Sequence, residues 1–210
     1  MFGRKKSGAT DSGSDSAPVE RVEVTGPRAD GPFDLVERPL ENPDEYVDLG
    51  TLLIKMRGDI EVQLPTEDDV VTAVLVTSGG SAVELRPFAG ARSGGTWDGV
   101  RAELREEVDK RGGRYEEVEG PFGTEVLAQF PAKDTEGNDA IQPARFIGIE
   151  GPRWVVRATV LGAAGLESTN EGVFMEILRD LRVRRGDEPR ILRESLPLQL
   201  PPDAQRIPEE

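Results

Sequence analysis

Arg145, Arg153 and Arg157 lie in the stretch "ARFIGIEGPRWVVRATVLG" (144–162). Guanidinium groups at such spacing can grip a phosphate or carboxylate through paired N–H bonds. In a strand, positions 153, 155 and 157 share one face, while Trp154, Val156, Ala158 and Val160 share the other. A turn at Glu150-Gly151 would bring Arg145 alongside Arg153 and Arg157 and create a three-arginine anion platform. The competing reading is that acids on adjacent strands, such as Glu61 or Glu84, answer these charges, and a chain with 40 acidic against 26 basic side chains favours it.

A second candidate is "ARSGGTW" (91–97). Gly94 and Gly95 just before a helix can turn backbone N–H groups outward as an anion nest, to which Arg92, Ser93 and Thr96 add donors. The stretch lacks the spacing of a P-loop or a dinucleotide-binding turn. A glycine-permitted turn leading into a threonine helix cap is the simpler reading.

The remaining chemistry is bounded by what the chain lacks. It has no cysteine and no histidine, so thiolate nucleophiles, disulfides, Cys/His zinc sites and imidazole proton relays are excluded. Carboxylate pairs at Glu103, Glu106, Glu107 and at Glu116, Glu117, Glu119 are interspersed with Lys and Arg, as on a wet surface, whereas a catalytic acid needs an apolar pocket to raise its pKa. "KDTEGNDA" (133–140) lacks the ligand spacing of a calcium loop. No cofactor, metal site or catalytic residue is implied.

The elements that would carry these residues follow from periodicity. Segments 49–55, 59–65, 70–77 and 82–88 are rich in Val, Ile and Leu and separated by turn formers, which predicts four strands in a meander. Trp97, Val100, Leu104 and Val108 then form one helical stripe, with Thr96 as N-cap and Gly112-Gly113 as the stop; Glu106 with Lys110 and Glu107 with Arg111 are i,i+4 pairs on its wet face. Four more strands follow between 113 and 162. A second helix is signalled by the capping-box spacing of Ser168 and Glu171 and by apolar Phe174, Ile177, Leu178 and Leu181. The fold class is α+β: a mainly antiparallel sheet of about eight strands in two meanders, with two amphipathic helices packed on it.

The flanks differ in composition. Residues 1–47 predict a disordered acidic arm, 48–185 the single folded domain, and 186–210 an extended Pro/Leu segment in which Leu196, Leu198 and Leu200 share one side. That segment suits a groove on its own domain or on a partner. With a net charge of −14, direct nucleic-acid binding is not expected. Neither a secretory signal nor an apolar span appears, so the expected location is cytoplasmic and away from membranes.

The motifs "RSGGTWDGVRAEL", "VEGPFGTEV", "QPARFIGIEGPRWVVRATVLG", "RVRRGDEP" and "LPLQLP" resemble an uncharacterised actinobacterial family of acidic cytoplasmic proteins, a domain of unknown function. In shape alone, the element order is similar to the α/β sandwich of the photosystem oxygen-evolving extrinsic protein, whose fold group mostly docks onto macromolecules; this is analogy. Two functions are therefore expected. The first is a non-catalytic protein-interaction module, acting through the arginine-bearing sheet face, the C-terminal segment or both. The second is a small-anion or nucleotide binder using the strand arginines and the Arg92–Thr96 turn.

Overall fold

Alternation of apolar and polar residues shapes the longer strands, as in Ser81–Ala89, where buried and half-buried positions alternate. The computed structural model describes residues 22–166, 168–202 and 204. In chain order the elements are β1 (Phe33–Asp34), β2 (Tyr46–Asp48), β3 (Leu52–Lys55), β4 (Glu61–Gln63), β5 (Thr66–Glu67), β6 (Val70–Val71), β7 (Val74–Ser78) and β8 (Ser81–Ala89). They continue with α1 (Thr96–Lys110), β9 (Arg114–Gly120), β10 (Gly123–Lys133), β11 (Asp139–Gly151), β12 (Trp154–Leu161), α2 (Val173–Asp180) and β13 (Arg182–Val183). The α+β class, mainly antiparallel with two helices, is as the periodicity indicates. Among the described residues no helix is long and apolar enough to cross a membrane.

The two meanders form one seven-stranded antiparallel sheet, ordered β4-β7-β8-β12-β11-β10-β9. From β8 at the middle the chain crosses one face as α1, reaches the edge at β9, and returns strand by strand until β12 pairs with β8. The segment expected as the first strand of the meander behaves differently. Leu52, Leu53 and Ile54 are all buried, a run with no wet face, and β3 belongs to a second sheet ordered β1-β13-β3-β2.

The second sheet and α2 cover one face of the large sheet. The main core lies between them: Trp154, Val156, Ala158 and Val160 of β12 and Ile147 and Ile149 of β11 pack with Phe174, Ile177 and Leu178 of α2. On the opposite face α1 lays Trp97, Val100, Leu104 and Val108 over Val126, Ala128, Phe130, Ala144 and Phe146. Gly148 makes this docking fit, because a Cβ there would lie 1.9 Å from the Trp97 ring.

Both flanks are more folded than their composition indicates. Of the arm expected at 1–47, residues 1–21 lie outside the described residues, but β1 pairs parallel with β13, Phe33 is buried, and Arg28 binds Glu37 through two bonds of 2.8 Å. Strands of two or three residues are too short to show a period. The C-terminal segment docks on its own domain. Arg193 N–H donates to the Ala89 carbonyl at 2.8 Å, Leu196 N–H to Pro87 at 2.9 Å, and Gln199 N–H to Leu49 at 3.0 Å, so this strap fills the edge of β8 that β7 leaves open. Leu196 is buried, Leu198 packs beside it and Leu200 is exposed.

Candidate functional site

The three strand arginines do not form a platform. Arg145 pairs in register with Val160, and therefore points into the main core with the Trp154 set. It is 1% exposed and holds the equally buried Glu125 through bonds of 2.6 and 2.9 Å; a third bond runs to the Thr169 carbonyl at 3.0 Å. Ser168 Oγ donates to the same carboxylate at 3.0 Å, so this serine serves the ion pair and not the helix, whose N-cap is Gly172. Arg153 sits in the β11–β12 turn with φ 62°, its guanidinium on the Gly186 carbonyl at 2.9 Å and 3.5 Å from the Asp187 carboxylate. Only Arg157 points towards α1.

The glycine nest exists, and the protein fills it itself. Gly94 and Gly95 have φ of 73° and 82°, which glycine adopts without strain. The backbone N–H groups of Gly95, Thr96 and Trp97 donate to the Glu150 carboxylate at 3.0, 2.6 and 3.1 Å. Gly95 is the N-cap, and Thr96 Oγ1 instead accepts from Ala91 N–H at 2.9 Å. Arg92 and Ser93 lie in the turn outside this bond set. An acid from the end of β11 thus meets the positive end of α1. Replacing Glu150 with alanine should destabilise the protein by about 0.5–2 kcal/mol, the cost of a lost helix cap. It should also vacate the nest, so that added phosphate raises the melting temperature of the variant more than that of the wild type. Equal shifts would contradict the assignment.

Arg157 occupies different ground. It stands opposite Arg86 in the β8–β12 register, a like-charge pairing that neighbouring acid must relieve. Glu84 does so unevenly. Its two oxygens bind Arg86 at 2.8 and 3.1 Å, while Arg157 Nη2 stays 3.7 Å away. Burial, moderated by Glu84 and reinforced by Arg86, lowers the Arg157 pKa from its ordinary value. Its Nε is buried without a hydrogen-bond partner. The side chain borders a groove of about 270 Å³ between α1 and the sheet, walled by Leu104, Val108, Phe130, Phe146 and Leu161. At the far end Arg111 lies over the Phe130 ring at 4.1 Å. A larger basin of about 670 Å³ at the β7–β8 turn carries Asp59 and Glu61 but no basic side chain.

One family model, described as "Protein of unknown function (DUF3710)", matches residues 31–207. The chain belongs to this family. No curated protein matches it. Among solved structures it is similar to a protein from Bacteroides thetaiotaomicron VPI-5482, at 14% identity and a TM-score of 0.40, covering 64% of this chain and 45% of that one. That partial likeness is too slight to bear on fold or function.

In this family member three of the six carboxylates singled out on α1 and β9 form solvent-facing pairs. Glu103 meets Arg193, Glu117 lies near Arg101 and Arg105, and Glu106 is 3.7 Å from Lys110. In the 133–140 loop, Asp134 accepts the Glu136 and Asn138 N–H groups at 2.9 and 2.8 Å, as a turn. Among the described residues, no group of three or more His, Cys, Asp or Glu is placed to hold a metal.

No local pattern of residues marks one buried acid, Asp34. Its carboxylate accepts Val36 N–H at 3.0 Å beneath the Trp154 indole, whose own N–H finds no partner of good geometry. Burial raises its pKa, with help from the nearby Glu37 charge and opposed by the Val36 N–H bond. Burial would also raise Glu37, but the Arg28 fork and the Asp34 N–H outweigh it and lower that pKa. The two acids therefore act on stability in opposite directions. Asp34 holds its proton more tightly when folded, so its contribution is present at low pH and is lost as pH rises through its folded value; that of Glu37 is lost as pH falls. Urea melts between pH 4 and 8 should show Asp34→Asn gaining stability relative to wild type as pH rises. Parallel pH curves would refute this.

Proposed function

We propose that this protein is a non-catalytic interaction module whose working site is the groove beneath α1, with Arg157 as the anchor for an acidic group on its partner. The observation that carries the proposal is the partly buried Arg157 guanidinium, incompletely answered by Glu84 and set against apolar walls. A polar group so placed costs free energy until a partner satisfies it. Of the other arginines singled out by sequence, Arg145 is held in the core by Glu125 and the Thr169 carbonyl, and Arg153 is turned away from the groove onto the Gly186 carbonyl. The buried Asp34 lines neither the groove nor the other three principal cavities, which supports a binding role over bond-making chemistry.

The alternative, a small-anion or nucleotide binder built on Arg92–Thr96, is less well supported because Glu150 already occupies that nest. The groove volume also falls below the roughly 300–1,000 Å³ usual for small-molecule pockets. We further propose a cytoplasmic setting in an actinobacterium, supported by the acidic composition and the motif resemblance; cell fractionation tests it.

The functional test is an amide NMR screen of the full chain with small apolar acids, their neutral amides and apolar amines. Saturable shifts are expected at Leu104, Val108, Phe146 and Thr159, strongest for the acids, and Arg157→Gln should erase the preference for acids. An absence of groove shifts with every compound would overturn the proposal.

A further inference from the structure

We infer that the groove receives the C-terminal end of a partner polypeptide, its α-carboxylate on Arg157 and its last, apolar side chain among Leu104, Val108 and Phe146. This rests on the reading of the groove as the working site.

Charge complementarity sets the anion. Both oxygens of Glu84 are held by Arg86, which leaves Arg157 with a Glu84 contact at 3.7 Å, the Phe88 ring centroid 5.8 Å away and an unpaired Nε. Arg86, Arg111 and Arg157 face Glu84 and Glu107, so the groove and its margin carry one positive charge in excess, which a single carboxylate answers while its plane matches the guanidinium fork. A phosphate dianion would overshoot that balance beside Glu84 and Glu107, which line the groove together with Arg111.

Juxtaposition sets the stem. The apolar walls begin beside the arginine, so the acid must sit close to an apolar group. A C-terminal residue places its carboxylate and side chain on the same carbon, whereas an internal Asp or Glu has only its acid at that point of the chain. The groove is open on one side, so the preceding residues can leave into solvent, with Gln142 and Thr159 at the wall to meet their peptide groups. A free acid would instead call for a pocket enclosing most of its surface.

The test uses the full chain and three probes: acetyl-Ala-Ala-Ala-Leu with a free carboxylate, the same peptide as a carboxamide, and hexanoate. Titrations followed by amide NMR should show the acid peptide saturating the groove and binding roughly ten- to a hundredfold more tightly than the carboxamide, the range a charge-assisted hydrogen bond supplies. Arg157→Gln, checked as folded from its spectrum, should reduce the acid peptide to the carboxamide's affinity. Equal binding of acid and carboxamide in the groove would overturn the inference and leave the groove as a binding site. Hexanoate binding as tightly as the acid peptide would overturn it in favour of a free acid. Groove resonances that move with none of the probes would remove both the inference and the reading beneath it.

Discussion

Replacing Arg145 with alanine is expected to destabilise the protein by about 3–5 kcal/mol, because it strands the Glu125 carboxylate in the core without its partner. Both side chains are 1% exposed, so solvent screens little of this effect. The carboxylate would keep only the Ser168 hydroxyl, and the Thr169 carbonyl would lose its donor. The loss should be local before it is global. The Ser168–Thr169 loop and α2 are tied to the sheet through this pair, so hydrogen exchange should accelerate at Phe174 to Leu178 ahead of β12. The double variant Arg145→Met with Glu125→Leu should recover much of the stability, since removing a buried pair together is far cheaper than removing half of it. Equal losses in single and double variants, measured by urea denaturation, would show that volume and not charge governs the site.

Trp154→Ala is expected to cost a similar amount, about 3–5 kcal/mol, as large aromatic truncations in a core do. The ring is fully buried and sits where a Cβ on Gly151 would be 2.1 Å away; Arg28 stacks over it at 5.2 Å. Removal therefore opens a cavity and strips a cation–π contact from the residue that clamps Glu37. Trp154→Phe should cost only a fraction of this, because it keeps an aromatic ring under Arg28 and gives up only an indole N–H whose contact with the Asp34 carboxylate falls short of hydrogen-bond geometry. Equal losses for alanine and phenylalanine would contradict the cavity account.

The helical stripe Trp97, Val100, Leu104 and Val108 and the apolar set Trp154, Val156, Ala158 and Val160 were legible because periodicity is a local property. The arginine platform fails by a single residue of register. The β11–β12 turn uses Pro152 and Arg153 as its two central residues and pairs Gly151 with Trp154, so odd positions on β11 face even positions on β12. A one-residue change of register moves every side chain to the other face, and Arg145 passed from the expected surface to the core. The same turn lifts Arg153 out of the strand at positive φ. Glu150 was invisible as a cap because its partners lie 53 to 55 residues away. The groove was half legible: Arg157 and its neighbour Glu84 could be named, but Phe130, Phe146 and Arg111 meet them only once β9 to β12 fold back beneath α1.

The most direct measurement is of the guanidinium itself. With arginine labelled in its side-chain nitrogens, the Arg157 guanidinium Nη resonances of the full chain should shift when acetyl-Ala-Ala-Ala-Leu acid is added, while those of Arg145 and Arg153 stay in place. An unmoved Arg157 signal under saturating peptide, or movement confined to another arginine, would contradict the assignment of the α1 groove as the working site.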